Sequence, residues 1–362
     1  MMRFLVFCGF IKALTAVNAQ PHHIPEEIRT RYYYQPGDSV IVSEKPAPAL
    51  IKALKGWKYL SPDSTRVEPS DGYDTILALY HYDFKAKHGG FFYLPTEISN
   101  EAYRKFAHAS RNPLFTPDTN CWLSSKMYSE PNSHYYYQHP AYSNFPVCGV
   151  SFQQAKAYCL WLQDSLNRAL KNKNIPQRVE VDLPSSDEWI HIYYHATVQF
   201  AQKTKHTLPK PSYLQFASPG NRNKVISGPW YSARLALIKP VRLDYFVYTA
   251  EINGVASIGG VYHIMGNVAE WTRSPAKNHL FNEKEHIYTV TGRLAPNVYE
   301  THSQSTLDKY VRGEKLNDLV VVKGGSWMDD PYYLQPGAMY FQNKNKGKAN
   351  IGFRPIIRVV KP

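Results

Sequence analysis

The chain has 362 residues, 43% hydrophobic and 20% charged, enough apolar mass for a packed core and too much for wholesale disorder. A formal net charge of +13 points to an anionic surface or acidic partner, or simply to a solvated exterior. No basic run exceeds a few residues, and the densest, Lys344-Asn-Lys-Gly-Lys348, reads as a hairpin loop, so nucleic acid is not expected as a partner. The 28 tyrosines favour strands and loops packed through aromatic rings over a helical bundle.

Residues 1–19 read as a secretory signal, with Arg3 at the start, an apolar middle interrupted by Lys12, and small residues at Val17 and Ala19. Cys8 follows Leu5-Val-Phe7, a poor lipidation box because Phe7 stands where a small residue is expected. The expectation is cleavage after Ala19 and an exported chain, periplasmic or associated with an outer membrane. No later stretch is apolar enough to span a bilayer. Cys121, Cys148 and Cys159 remain, so at most one intrachain disulfide forms among them. Cys121 and Cys148 flank one long loop, and their pairing is left open.

Residues 20–74 form a polar, proline-bearing arm with Tyr32-Tyr-Tyr34 and a short helix-like spacing at Leu50, Ile51 and Leu54. The texture changes at residue 75, where the main domain is expected to begin and to run to 362. Residues 75–80 and 91–94 read as strands separated by the Gly89-Gly90 break. A helix over 97–106 is capped by Ser99. A second opens with the capping box Ser151-Phe-Gln-Gln154 and buries Phe152, Ala155, Cys159, Leu162 and Leu166 on one face. Ser185 and Glu188 repeat the box. Residues 195–260 are too irregular to assign. After the 261–271 loop and a polar excursion to about 315, a terminal hairpin follows. Short helices, short strands and long loops define an α+β class with little regular structure, and no internal repeat is present.

Six motifs stand in order: Glu97-Ile-Ser-Asn100, Pro146-Val-Cys-Gly-Val-Ser-Phe152 with Ala157-Tyr-Cys-Leu-Trp161, Leu183-Pro-Ser-Ser-Asp-Glu-Trp189, Gly266-Asn-Val-Ala-Glu-Trp271, Lys323-Gly-Gly-Ser-Trp327 and Ile351-Gly-Phe-Arg354. Together they resemble the formylglycine-generating enzyme, or sulfatase-modifying factor, family over roughly residues 75–360. The resemblance implies a C-type-lectin-like fold. Phe115-Thr-Pro-Asp-Thr-Asn-Cys-Trp122, Tyr128-Ser-Glu-Pro131 and His139-Pro-Ala-Tyr-Ser-Asn-Phe-Pro146 resemble one branch in particular, the GldK/PorK and GldJ lipoproteins of gliding motility and type IX secretion in Bacteroidetes. That branch implies a non-enzymatic part of an envelope machine whose partners are other envelope or secretion proteins.

In catalytic members of the family, two cysteines after the Gly-Gly-Ser-aromatic turn bind copper. Here those positions hold Asp329 and Leu334, and a carboxylate with an isobutyl group cannot replace two soft thiolates. No catalytic residue is therefore assigned, and the turn reads as a retained frame in which Gly324, Gly325, Trp327 and Arg354 keep structural roles. Gly266, Val268 and Glu270 match a calcium loop of the family, but His263 stands where an oxygen ligand is expected. The other reading is a structural loop in which Asn267 bonds backbone amides and Trp271 fills the core. Tyr135, Tyr136 and Tyr137, with Asp329, Asp330, Tyr332 and Tyr333, are the candidate interaction surface, for protein partners or for a glycan.

Overall fold

The computed structural model describes residues 45–61, 90–123, 130–204, 257–258, 260–276, 315–327, 329 and 340–360. Helix α1 (Pro48–Ala53) leads into strand β1 (Lys58–Leu60), and β2 (Phe91–Tyr93) follows. Helix α2 (Asn100–Ser110) starts where Ser99 accepts a hydrogen bond from the Ala102 N–H, as its spacing predicts. It stops at Arg111, whose φ of 51° turns the chain left-handed. Helix α3 is short (Glu130–Tyr135).

Helix α4 (Phe152–Asn172) opens with the expected box, Ser151 and Gln154 each bonding the other's backbone N–H. It buries Ala155, Tyr158, Cys159 and Leu170, whereas Phe152, Leu162 and Leu166 pack half-buried at the margin of the same face. After β3 (Arg178–Asp182), helix α5 (Ser186–Thr204) begins with the second box, Glu188 N–H to Ser185 Oγ at 3.1 Å and Ser185 N–H to Glu188 Oε2 at 2.7 Å. This helix extends well past residue 195, into a region whose composition gives no helical signal. Among the described residues no helix is long and apolar enough to cross a membrane.

Strands β4 (Ser257–Ile258) and β5 (Val261–Tyr262) make a two-stranded ribbon. Strands β6 (Ala269–Pro275), β7 (Leu319–Lys323), β8 (Tyr340–Asn343), β9 (Ile351–Gly352) and β10 (Ile356–Val360) complete the fold. One four-stranded sheet has the order β1-β2-β10-β3, all antiparallel, with Ile357 facing Phe92 on one side and Val181 on the other. The second has the order β8-β7-β6-β9, and its β6–β9 pair is parallel.

Two expectations change here. The domain does not wait for residue 75. Leu50, Leu54 and Leu60 are buried in the core, and β1 forms the edge of the first sheet. Each such leucine contributes about 1.5–3 kcal/mol through burial, so this part of the arm is integral. Lys344–Lys348 is not a hairpin loop either, because β8 and β9 occupy opposite edges of their sheet. The segment crosses the sheet end and is fastened by Phe152 N–H to Lys344 O (3.0 Å) and Gly149 N–H to Lys348 O (2.9 Å). The strand expected over 75–80, residues 1–44 with the signal and Cys8, and residues 277–314 lie outside the described residues.

Candidate functional site

The turn after β7 is built by two interlocking glycine corners. Gly324 and Gly325 take φ of +90° and +63°, and Gly266 and Asn267 take +84° and +61°. The Gly266 N–H donates to Gly324 O at 2.9 Å, and the Trp327 N–H donates to Asn267 O at 3.0 Å. Any side chain at Gly324 would press on the Trp189 ring, 3.1 Å from the position of its Cβ. Trp327 is buried, stacks on Trp122 with ring centres 5.9 Å apart, and donates its indole N–H to Ala349 O.

Ser326 and Asp329 follow from this frame. The Ser326 hydroxyl donates to Asp329 Oδ2 at 2.5 Å and accepts from the Asn350 amide at 3.0 Å, while the Asp329 N–H bonds Ser326 O at 3.1 Å. Asp329 thereby acts as the acceptor that closes the turn, with its carboxylate half-buried. Asp330, Tyr332, Tyr333 and Leu334 lie outside the described residues.

Behind the turn sits a buried network of charged and polar groups that the motifs only partly announce. Arg354 is fully buried and donates to Glu270 through Nε (3.0 Å) and a terminal nitrogen (2.8 Å); its remaining donors reach Leu94 O and Tyr262 O. Glu270 also accepts from the Trp189 indole at 2.9 Å. Asn267 donates to Glu97 Oε1 at 3.0 Å, whereas Glu97 Oε2 is buried without a hydrogen bond. Burial pushes the Glu97 carboxyl up to about 8, with Arg354 opposing and Glu270 adding to the rise. Burial pulls the Lys323 amine down to about 7 as it lies over the Trp189 ring, and it pulls the His195 imidazole down to about 4.

A second ion pair, Glu188 with Arg358, stands nearby, with Arg273 3.5 Å from the same carboxylate. Neither Glu97 nor the Glu188–Arg358 pair is evident from local spacing. The available signal was a charged residue inside an apolar strand: Arg358 in Ile356-Ile-Arg-Val-Val360 and Lys323 after Leu319-Val-Val-Val322.

This arrangement bears on calcium. A calcium ligand must present free oxygens, yet both Glu270 oxygens already accept from Arg354 and Trp189, with a guanidinium charge alongside. His263 is buried where an oxygen is needed. Among the described residues no group of three His, Cys, Asp or Glu side chains could hold a metal. Gly266, Val268 and Glu270 therefore do not fit the ion. Chelation with EGTA is expected to leave the melting temperature unchanged within about a degree. A fall of several degrees that added calcium reverses would reinstate the ion.

The tyrosine run needs correction. Tyr135–Tyr137 lie at the end of α3, and the three rings are not exposed together. Tyr136 is buried, donates its hydroxyl to Pro146 O at 2.7 Å and packs on Trp122. Tyr137 is buried beside Tyr103 and under the Arg104 guanidinium. Successive residues at a helix end point about 100° apart, so the core takes two rings and leaves one. Tyr135 remains, 55% exposed, with the His134 and His139 rings 6.4 and 6.3 Å away. Trp271 fills the core: its indole donates to Val150 O at 3.0 Å and packs against Phe152, while the Asn267 amide, expected to bond backbone amides, donates to the Glu97 carboxylate.

Cys121, Cys148 and Cys159 are all buried thiols. Burial pushes Cys121 up to about 12 and holds Cys148 and Cys159 well above the usual thiol range, so each rests as the neutral thiol and exchanges slowly, through a small thiolate fraction.

The family model of the sulfatase-modifying factor enzyme 1-like domain matches residues 83–359. No curated protein matches the chain. Among solved structures, Treponema denticola variable protein 1 is 15% identical, over 75% of this chain and 85% of its own, with a TM-score of 0.38. PvdO from Pseudomonas aeruginosa is 15% identical over 75% and 81%, with a TM-score of 0.38. CarF is 14% identical over 76% and 88%, with a TM-score of 0.40.

Proposed function

The chain belongs to the sulfatase-modifying factor enzyme 1-like domain family, and we propose that it serves there as a non-catalytic structural or binding subunit of an exported cell-envelope complex, related to type IX secretion or gliding motility. What supports the reading is the turn itself. Its frame is kept by Gly324, Gly325 and Trp327, while Asp329 stands where the enzymatic pattern asks for a thiol and is engaged by Ser326 as a structural acceptor. Copper(I) chemistry needs soft thiolates, and a hydrogen-bonded carboxylate does not supply them. The remaining described thiols are buried and carry raised pKa values.

Two measurements test the proposal together. Copper-loaded protein is expected to leave a cysteine-containing sulfatase peptide unoxidised; turnover that Asp329→Ala abolishes would overturn the reading. From native membranes, the full chain is expected to co-purify with envelope proteins, and Tyr135→Ala to weaken that capture roughly tenfold, as loss of an exposed aromatic anchor does. Recovery on peptidoglycan sacculi without protein partners would instead support a carbohydrate-binding module. Capture of neither would remove the binding role altogether.

A further inference from the structure

Cys121 and Cys148 come from segments 27 positions apart, yet they lie in one small cluster with Trp122, Tyr136, Val268, Trp327 and Ala349. The two backbones are in direct contact. The Asp118 N–H donates to Gly149 O at 2.8 Å, and a Cβ at Gly149 would lie 2.4 Å from Asp118 O and 3.2 Å from Cys121 Sγ. The Cys121 sulfur therefore rests on the residue next to Cys148. Gly149 makes this approach tolerable through its missing side chain and its φ of +74°. Cys159 belongs to a different cluster, on the buried face of α4 near Lys156 and Asp182.

We propose that Cys121 and Cys148 are an oxidation site, a thiol pair that closes into a disulfide on reaction with a small-molecule disulfide. The Cys121 thiolate attacks one sulfur of oxidised glutathione, releasing one glutathione thiolate and leaving a mixed disulfide. Cys148, deprotonated in turn, attacks Cys121 Sγ and releases the second glutathione. The protein pair loses two protons and two electrons, and one glutathione disulfide becomes two thiols. Cys121 is assigned the first attack because it lies in the Thr119–Trp122 turn with the Lys348 cation partly opposing burial and Asp118, whereas Cys148, buried more deeply, faces Cys121 and Glu97 with only the Tyr136 hydroxyl opposing them. The bond would tie the Thr119–Trp122 turn to the segment entering α4, and so hold Trp122 against Trp327 beneath the Ser326–Asp329 turn. This inference does not depend on the envelope role.

The test uses the full chain, equilibrated in glutathione buffers of increasing oxidised fraction, quenched with acid, alkylated in denaturant and digested without reduction. The expected product is a cross-linked peptide pair carrying Cys121 and Cys148, with Cys159 alkylated throughout. The oxidised form is expected to melt roughly 5 °C above the reduced form. Cys148→Ser should yield at most a Cys121–glutathione adduct. The proposal fails if both cysteines are still alkylated in the most oxidising buffer, or if the dominant link joins either of them to Cys8 or Cys159. Should the serine variant not fold, the wild-type peptide map decides alone.

Discussion

Replacing Arg354 with methionine is expected to lower the unfolding free energy by about 3–5 kcal/mol, the usual cost of stripping one partner from a buried ion pair. Arg354 is fully buried and is the cation facing both Glu270 and Glu97. Without it, the Glu270 carboxylate keeps only the Trp189 indole among the donors described for it, and Leu94 O and Tyr262 O each lose one. Methionine conserves the aliphatic reach, so the loss reports charge and hydrogen bonding more than a cavity. Urea denaturation at neutral pH measures it. The double variant Arg354→Met with Glu270→Gln should recover part of the loss, because the two residues share one interaction. A cost under about 1 kcal/mol for the single variant would mean that the network does not hold the sheets together.

The second large effect is a pH dependence. Glu97 is held near 8 in the folded chain against an ordinary 4.5, so between those values the folded state keeps a proton that the unfolded state has lost. Its contribution is complete below pH 4.5 and drains away as the pH rises towards 8. Glu97→Gln keeps an oxygen to accept from Asn267 and does not titrate. The variant should match wild type near pH 4.5 and exceed it progressively, by roughly 3–5 kcal/mol at pH 8.

Two neighbours slope the other way and mask this in the wild type. His195, lowered to about 4, adds stability that is present above 6.5 and lost as the pH falls through 4. Lys323, lowered to about 7, adds stability that is complete above 10.5 and lost as the pH falls through 7. The wild-type profile is therefore expected to be flatter than that of Glu97→Gln. Parallel profiles for the two proteins would show that Glu97 is ionised in the fold at neutral pH.

Local signals in the sequence were readable wherever a few neighbouring residues decide the outcome. Ser99, the Ser151–Gln154 box and the Ser185–Glu188 box mark three helix starts, because capping is a contact over three positions. The glycine pair at 324–325 and the buried Trp327 were legible for the same reason. What stayed hidden depends on distant partners. Glu188 looked like a capping residue and is also the buried counter-ion of Arg358, 170 positions away. Glu97 looked like part of a helix start and is a buried member of the Arg354 network, with one carboxylate oxygen left without a hydrogen bond. Tyr136 and Tyr137 looked like surface because their run is polar in context, but Pro146 O and Arg104 lie within reach only in the folded chain. The Lys344–Lys348 stretch suggested a hairpin because hairpins join most neighbouring strands, and a parallel β6–β9 pair breaks that rule.

The position of β10 constrains how the protein can be made. It lies inside its sheet, between β2 and β3, so β2 has no neighbour other than β1 until the residues up to Val360 have been synthesised. A nascent chain must therefore carry the apolar β2 strand through most of translation without its final cover. Such an order favours late, all-at-once closure over stepwise assembly, and it exposes the unfinished chain to chaperones for as long as synthesis lasts.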